Sequence, residues 1–171
     1  MKKRIFAAIV SGFAVLLLLM VTGHTMAKGK KKRTSYCSNP RPEQLCTAAN
    51  TCGANGAPCV LEVKRVDGGS EASVTPNIAS FPKESAVCIK TGANVTWQGA
   101  GKNTGMMVDF GESSPFDPSG TIMGGSDRPV TVVTKKAGCY KYTVGACTPG
   151  SIYGMCGNSD LELIVTSGSN D

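Results

Sequence analysis

Sulfur dominates the reactive side chains of this 171-residue chain, which carries eight cysteines and seven methionines but a single histidine, His24. The cysteines are Cys37, Cys46, Cys52, Cys59, Cys88, Cys139, Cys147 and Cys156, at successive spacings of 9, 6, 7, 29, 51, 8 and 9. No two stand in a CxxC pair, so neither a thioredoxin-type redox motif nor a zinc ribbon fits. An even number in a chain of this size reads instead as four disulfides formed in an oxidising compartment. Spacing alone leaves 105 connectivities open. Cys147 with Cys156 is the foremost pair, and closing that short loop contributes roughly 2–3 kcal/mol on a chain-entropy basis. Cys37, Cys46, Cys52 and Cys59 are expected to bond partly among themselves, with at least one reaching Cys88 or Cys139.

Beyond His24 the chain has no imidazole, which excludes Ser-His-Asp and Cys-His hydrolases, HExxH proteases and imidazole-built metal sites. Asp109, Glu112, Asp117 and Asp127 lie in or near turn-forming stretches and form no recognisable catalytic pair. The glycine-rich stretches "GANGAP" and "GTIMGGSD" lack the lysine and helix of a phosphate cradle. The protein is therefore expected not to be an enzyme. Methionine is the remaining ligand type, because thioether sulfur suits Cu(I). Met106, Met123 and Met155 are the candidates for such a site, while Met107 should point away from Met106 if both lie on one strand. Without such a site no cofactor is expected. Trp97, the sole tryptophan, reads as a core residue.

The elements that would position these residues follow from composition. "MKKR", the apolar run "IFAAIVSGFAVLLLLMV" and the small-residue site "TMA" make residues 1–27 a secretory signal peptide. A basic, disordered tail is expected over 28–35, containing "KGKKKR", and could touch anionic surfaces. Eight of the 18 Lys and Arg fall within residues 1–33, which leaves ten against 12 Asp and Glu in the remainder. That near-neutral remainder argues against nucleic-acid binding, which needs a basic face on the fold. Residues 36–59, "YCSNPRPEQLCTAANTCGANGAPC", read as a cross-linked irregular segment with a helical turn or two at "PEQLCTAA". From residue 60 to 171, short apolar runs broken by Gly, Pro, Asn and Ser indicate seven or eight strands of a β-sandwich. Alternation assigns Met106, Val108 and Phe110, then Val130 and Val132, then Tyr140, Tyr142 and Val144, then Leu161, Leu163 and Val165 to the core.

Three stretches carry a family resemblance. "KTGANVTWQ" resembles the cupredoxin stretch in which a Gly turn leads into a Val-x-aromatic strand, "AGCYKYTV" resembles its penultimate strand, and "GMMVDFGESSPF" the strand that begins at the first copper ligand. The resemblance covers about residues 72–166 and implies an all-β, Greek-key sandwich. It places the first histidine ligand at Gly105 or Met106, the cysteine ligand near Val144, and the last two ligands within "CTPGSIYGMC". Only Met155 matches a ligand type there, so the resemblance implies a domain of this fold without the type 1 copper site. The expected function is a secreted or periplasmic binding or structural module whose partner is a cell-envelope or extracellular protein. Phe116 and Tyr153 are the expected contact residues, since loops braced by a scaffold commonly carry recognition. A Cu(I)-handling protein using methionine sulfur is the alternative.

Overall fold

The computed structural model describes residues 35–66, 69–82, 85–148 and 156–168. The expected signal peptide and nearly all of the basic tail lie outside them. Among the described residues eleven strands form, eight of them where the apolar runs occur: β1 (Thr51–Cys52), β2 (Cys59–Arg65), β3 (Ala72–Pro76), β4 (Val87–Lys90), β5 (Asn94–Gly99), β6 (Gly105–Asp109), β7 (Phe116–Asp117), β8 (Ile122–Gly125), β9 (Val130–Thr134), β10 (Gly138–Cys147) and β11 (Cys156–Thr166). They build a six-stranded sheet, ordered β1-β4-β11-β10-β6-β8, and a five-stranded sheet, ordered β3-β2-β5-β9-β7. From β4 to β10 the chain changes sheet at every strand, giving an all-β Greek-key sandwich: the sandwich is what the strand pattern predicts, and the Greek key what the resemblance implies. Among the described residues no helix is long and apolar enough to cross a membrane.

The inward faces match the alternation. Met106, Val108, Phe110, Val132, Tyr142, Val144, Leu163 and Val165 are all buried, with Val130, Tyr140 and Leu161 packed at the margin. At the centre stands Trp97, fully buried. Phe116, Tyr142 and Phe110 meet it edge-on at centroid distances of 6.1, 6.0 and 6.5 Å, and Phe110 stacks on Tyr142 at 4.9 Å. Such pairs add about 0.5–1.5 kcal/mol each beyond the area they bury. Among the described residues, the Trp97 indole nitrogen is the buried side-chain polar atom left without an acceptor.

Three strands go beyond the expected set. β1 lies within the cysteine-rich segment and pairs in parallel with β4. β7 and β8 arise from stretches whose Pro and Gly content reads as turns. The segment 36–59 is otherwise irregular, as expected, with short 3-10 turns at Tyr36–Ser38, Pro42–Leu45 and Ala54–Gly56.

That segment covers the outer side of the six-stranded sheet. Ala86, Cys88 and Ile164 point away from the main core and are buried under Tyr36, Leu45, Cys46 and Cys139. Two long-range disulfides, Cys37–Cys139 and Cys46–Cys88, staple it down, with sequence separations of 102 and 42. Cys52–Cys59 closes the segment on itself, and Cys147–Cys156 closes the final hairpin. All four expected disulfides are thus formed, in a pattern that joins one pair within the segment and two pairs across to the sandwich. Buried Asn50 ties the same junction: its amide nitrogen donates to the carbonyls of Leu45 (2.9 Å) and Ala86 (3.1 Å), and its side-chain oxygen accepts from Thr47 N (2.6 Å). The Glu162 carboxylate accepts from the Ser35 hydroxyl and from the backbone N–H groups of Tyr36 and Cys37.

Candidate functional site

Two of the positions at which the resemblance places copper ligands, Val144 and Met106, are apolar packing positions. Val144 is fully buried and pairs with Val108 on one side and Ser159 on the other. Met106 is 5 % exposed and turns inward, its terminal methyl 3.0 Å from where a Cβ on Gly124 would stand. The adjoining end of the sandwich is closed by backbone contacts. A Cβ on Gly99 would fall 2.3 Å from the Thr104 carbonyl oxygen, and one on Gly125 would fall 2.6 Å from the same atom. Only glycine admits this approach. Thr104 itself is buried, donating its hydroxyl to Ala100 O (2.7 Å) and its N–H to Ser126 Oγ (3.2 Å). Among the described residues, no group of three His, Cys, Asp or Glu side chains could hold a metal ion.

Of the methionine set expected for Cu(I), Met106 and Met123 are not brought together. Met106 faces the core while Met123 is 69 % exposed on the outer face of the six-stranded sheet, and Met155 lies outside the described residues. Met107 takes the opposite face from Met106, as neighbouring strand residues must, and is the direct register partner of Met123. Two thioethers therefore do share a surface, but they are Met107 and Met123. Their pairing depends on β6 meeting β8, a strand hidden in the sequence by Gly124 and Gly125.

Phe116 corrects the expected contact surface. It is 3 % exposed and packs on Trp97 and Phe110, because the stretch around it contributes β7 to the five-stranded sheet instead of a free loop. Tyr153 lies outside the described residues. The cysteines that bracket its loop form the last rung of a ten-pair β10–β11 ladder running from Gly138↔Val165 to Cys147↔Cys156.

The register defines what surrounds Met107 and Met123. One row across the outer face reads Asn158, Gly145, Met107, Met123, and the next reads Cys156, Cys147, Gly105, Gly125. Met107 leans over β10, so that a Cβ on Gly145 would lie 3.9 Å from both its Cβ and its Cε. On the other side Asp160 accepts from the Thr143 hydroxyl at 2.8 Å, and Asp109 accepts from Gly111 N at 3.0 Å. Lys141 faces Glu162 at 3.9 Å, where the cover supplied by the N-terminal segment begins. The outer face is thus divided into a half buried under the stapled segment and an open half that carries Met107 and Met123 at its β6–β8 edge. A shallow groove runs along the open margin between residues 103–105 and 123–128.

No protein-family model matches the chain, and no curated protein does so. Among solved structures it is similar to a proline-to-glycine mutant of amicyanin in its reduced Cu(I) form at pH 4, at 16 % identity over 67 % of this chain and 90 % of that one, with a TM-score of 0.33. A methionine-to-glutamine mutant of amicyanin with Cu(I) matches at 14 % identity over 68 % and 93 % of the respective chains, also at 0.33. The fold assignment rests on the strand order and burial of this chain itself.

Proposed function

We propose that this protein is an exported, non-catalytic binding or structural module of cupredoxin-like fold without a type 1 copper site. The observation that carries the reading is the fate of the sulfur. All eight cysteines are consumed in disulfides, and two of these disulfides hold a third layer over the two sheets. A disulfide sulfur offers no thiolate to a metal or a substrate. Four disulfides also favour the periplasm or the extracellular space over the cytosol. The partner is a cell-envelope or extracellular protein that meets the open half of the six-stranded sheet and the adjoining Cys147–Cys156 loop, where Tyr153 takes the contact role and Phe116 does not. The basic run 28–33 adds affinity for anionic surfaces.

The test is mass measurement of the protein recovered from the envelope or medium fraction, unfolded in a thiol-alkylating reagent with and without prior reduction. The unreduced sample should take up no alkyl group and the reduced sample eight. Alkylation of most cysteines before reduction, or recovery in the cytosol, would defeat the proposal.

A further inference from the structure

The three sulfur-bearing residues of β6 and β8 form an internal comparison that points to a modification site. Met106 and Met107 are consecutive on one strand, yet Met106 is 5 % exposed and Met107 40 %, and Met107's cross-strand partner Met123 is 69 % exposed. Among the described residues the large hydrophobic side chains open to solvent are Met107, Met123 and Val66, so two of the three are these adjacent thioethers. No described cysteine is free, which leaves the protein without a thiol to meet an oxidant first. Susceptibility of sulfur to oxidation follows exposure once thiolates are absent.

We propose that Met107 and Met123 are a reversible oxidation site for two-electron oxidants of the peroxide class. The sulfur lone pair attacks one peroxide oxygen, the O–O bond breaks and an S–O bond forms. The other oxygen leaves as water, taking up the proton shed by the transferred oxygen. Sulfur loses two electrons and the peroxide gains two, so one water and one sulfoxide result per methionine. Sulfoxidation turns a flexible apolar side chain into a polar one. Here it would convert the open apolar patch on β6 and β8 into a hydrated surface while leaving the core intact, because both side chains point outward. Restoration falls to methionine sulfoxide reductases, one enzyme for each epimer. This inference rests on exposure and register in the unbound protein, and it does not depend on the proposed function.

The experiment treats the folded, isolated protein with limiting hydrogen peroxide, digests it, and locates each added oxygen by peptide fragmentation. Met123 and Met107 should gain oxygen about tenfold or more faster than Met106, and the three should converge when the protein is unfolded before treatment. Retention on a hydrophobic-interaction column should fall with oxidation and return after incubation with both reductases. The Met107→Leu/Met123→Leu variant should keep its retention through the same peroxide dose. Equal oxidation of Met106 and Met123 in the folded protein would overturn the site. Retention that falls equally in the double variant would overturn the change of surface.

Discussion

Cys88 and Ile164 are direct register partners across the parallel β4–β11 pair, and both turn their side chains away from the main core. In an ordinary sandwich that face would be solvated. Here it is apolar because the cysteine-rich segment lies on it, and the Cys46–Cys88 bond fixes the segment at the centre of that contact. The segment is therefore a third layer over part of the fold.

The first prediction ranks the disulfides. On the loop-entropy relation, Cys37–Cys139 and Cys46–Cys88, with separations of 102 and 42, are each worth about 4–5 kcal/mol. Cys52–Cys59 and Cys147–Cys156, with separations of 7 and 9, are worth about 2–3 kcal/mol each. Paired Cys→Ala replacements followed by denaturant unfolding should reproduce that order. Removal of Cys46–Cys88 should also raise binding of an apolar dye, as Ile164 loses its cover. A Cys52–Cys59 deletion costing more than the Cys46–Cys88 deletion would contradict the layered account.

The sandwich was legible because its strands alternate cleanly: Met106-Val108-Phe110 and Tyr142-Val144 name one face without ambiguity. What escaped had physical causes. β8 carries Gly124 and Gly125, whose lack of side chains is demanded by the close approach of Arg128 and Thr104 backbone, yet in sequence two glycines signal a turn. Phe116 sits among Ser and Pro that read as loop, while its ring completes the cluster around Trp97. The Met107–Met123 pair needed the register of two strands separated by β7, which no local pattern encodes. The second buried face needed knowledge of where the cysteines bond, and spacing does not supply it.

The second prediction concerns Phe116. Its truncation should behave as a core defect: Phe116→Ser should cost about 3–5 kcal/mol in stability and shift Trp97 fluorescence to the red, as the indole loses an edge-on neighbour 6.1 Å away. Full stability in the variant would return Phe116 to the surface.

Burial raises the Tyr142 hydroxyl well above its ordinary pKa, and this predicts an alkaline limb to the stability curve. The unfolded chain's Tyr142 ionises near pH 10, while the folded one stays neutral. Above that pH the folded state binds more protons than the unfolded, so stability is fully present below about pH 10 and falls as pH rises, by up to about 1.4 kcal/mol per pH unit. Tyr140 is raised in the same direction by desolvation, but it lies at the surface and adds less. Denaturant unfolding between pH 8 and 11 should show a shallower decline for Tyr142→Phe than for the parent. Parallel declines would mean that Tyr142 is solvated in the folded protein.

The junction residue Asn50 carries the fourth prediction. Its side chain bridges Leu45 and Ala86 by donation and Thr47 by acceptance while buried, so Asn50→Ala should cost about 2–4 kcal/mol by stranding partners on both sides. With both staples intact, the loss should appear as faster hydrogen exchange at Cys88 N, which donates to Asn50 O at 3.0 Å. Unchanged exchange there would indicate that the disulfides alone hold the layer.

The last prediction separates the module from a copper carrier. Intense blue colour with Cu(II) needs a thiolate ligand, and no described cysteine is free to supply one. Among the described residues the thioethers are split between the two faces of the sheet, with Met106 inside and Met107 and Met123 outside. Two exposed thioethers without a charged or imidazole partner make a weak site even for Cu(I). Titration with Cu(II) should therefore give no strong visible band, and Cu(I) should pass to a competing chelator at equal concentration. A stoichiometric Cu(I) complex that resists the chelator, and that disappears in Met107→Leu/Met123→Leu while Met106→Leu retains it, would instead place copper on the outer face. The alternative reading would then stand, with a ligand set different from the one the sequence suggested.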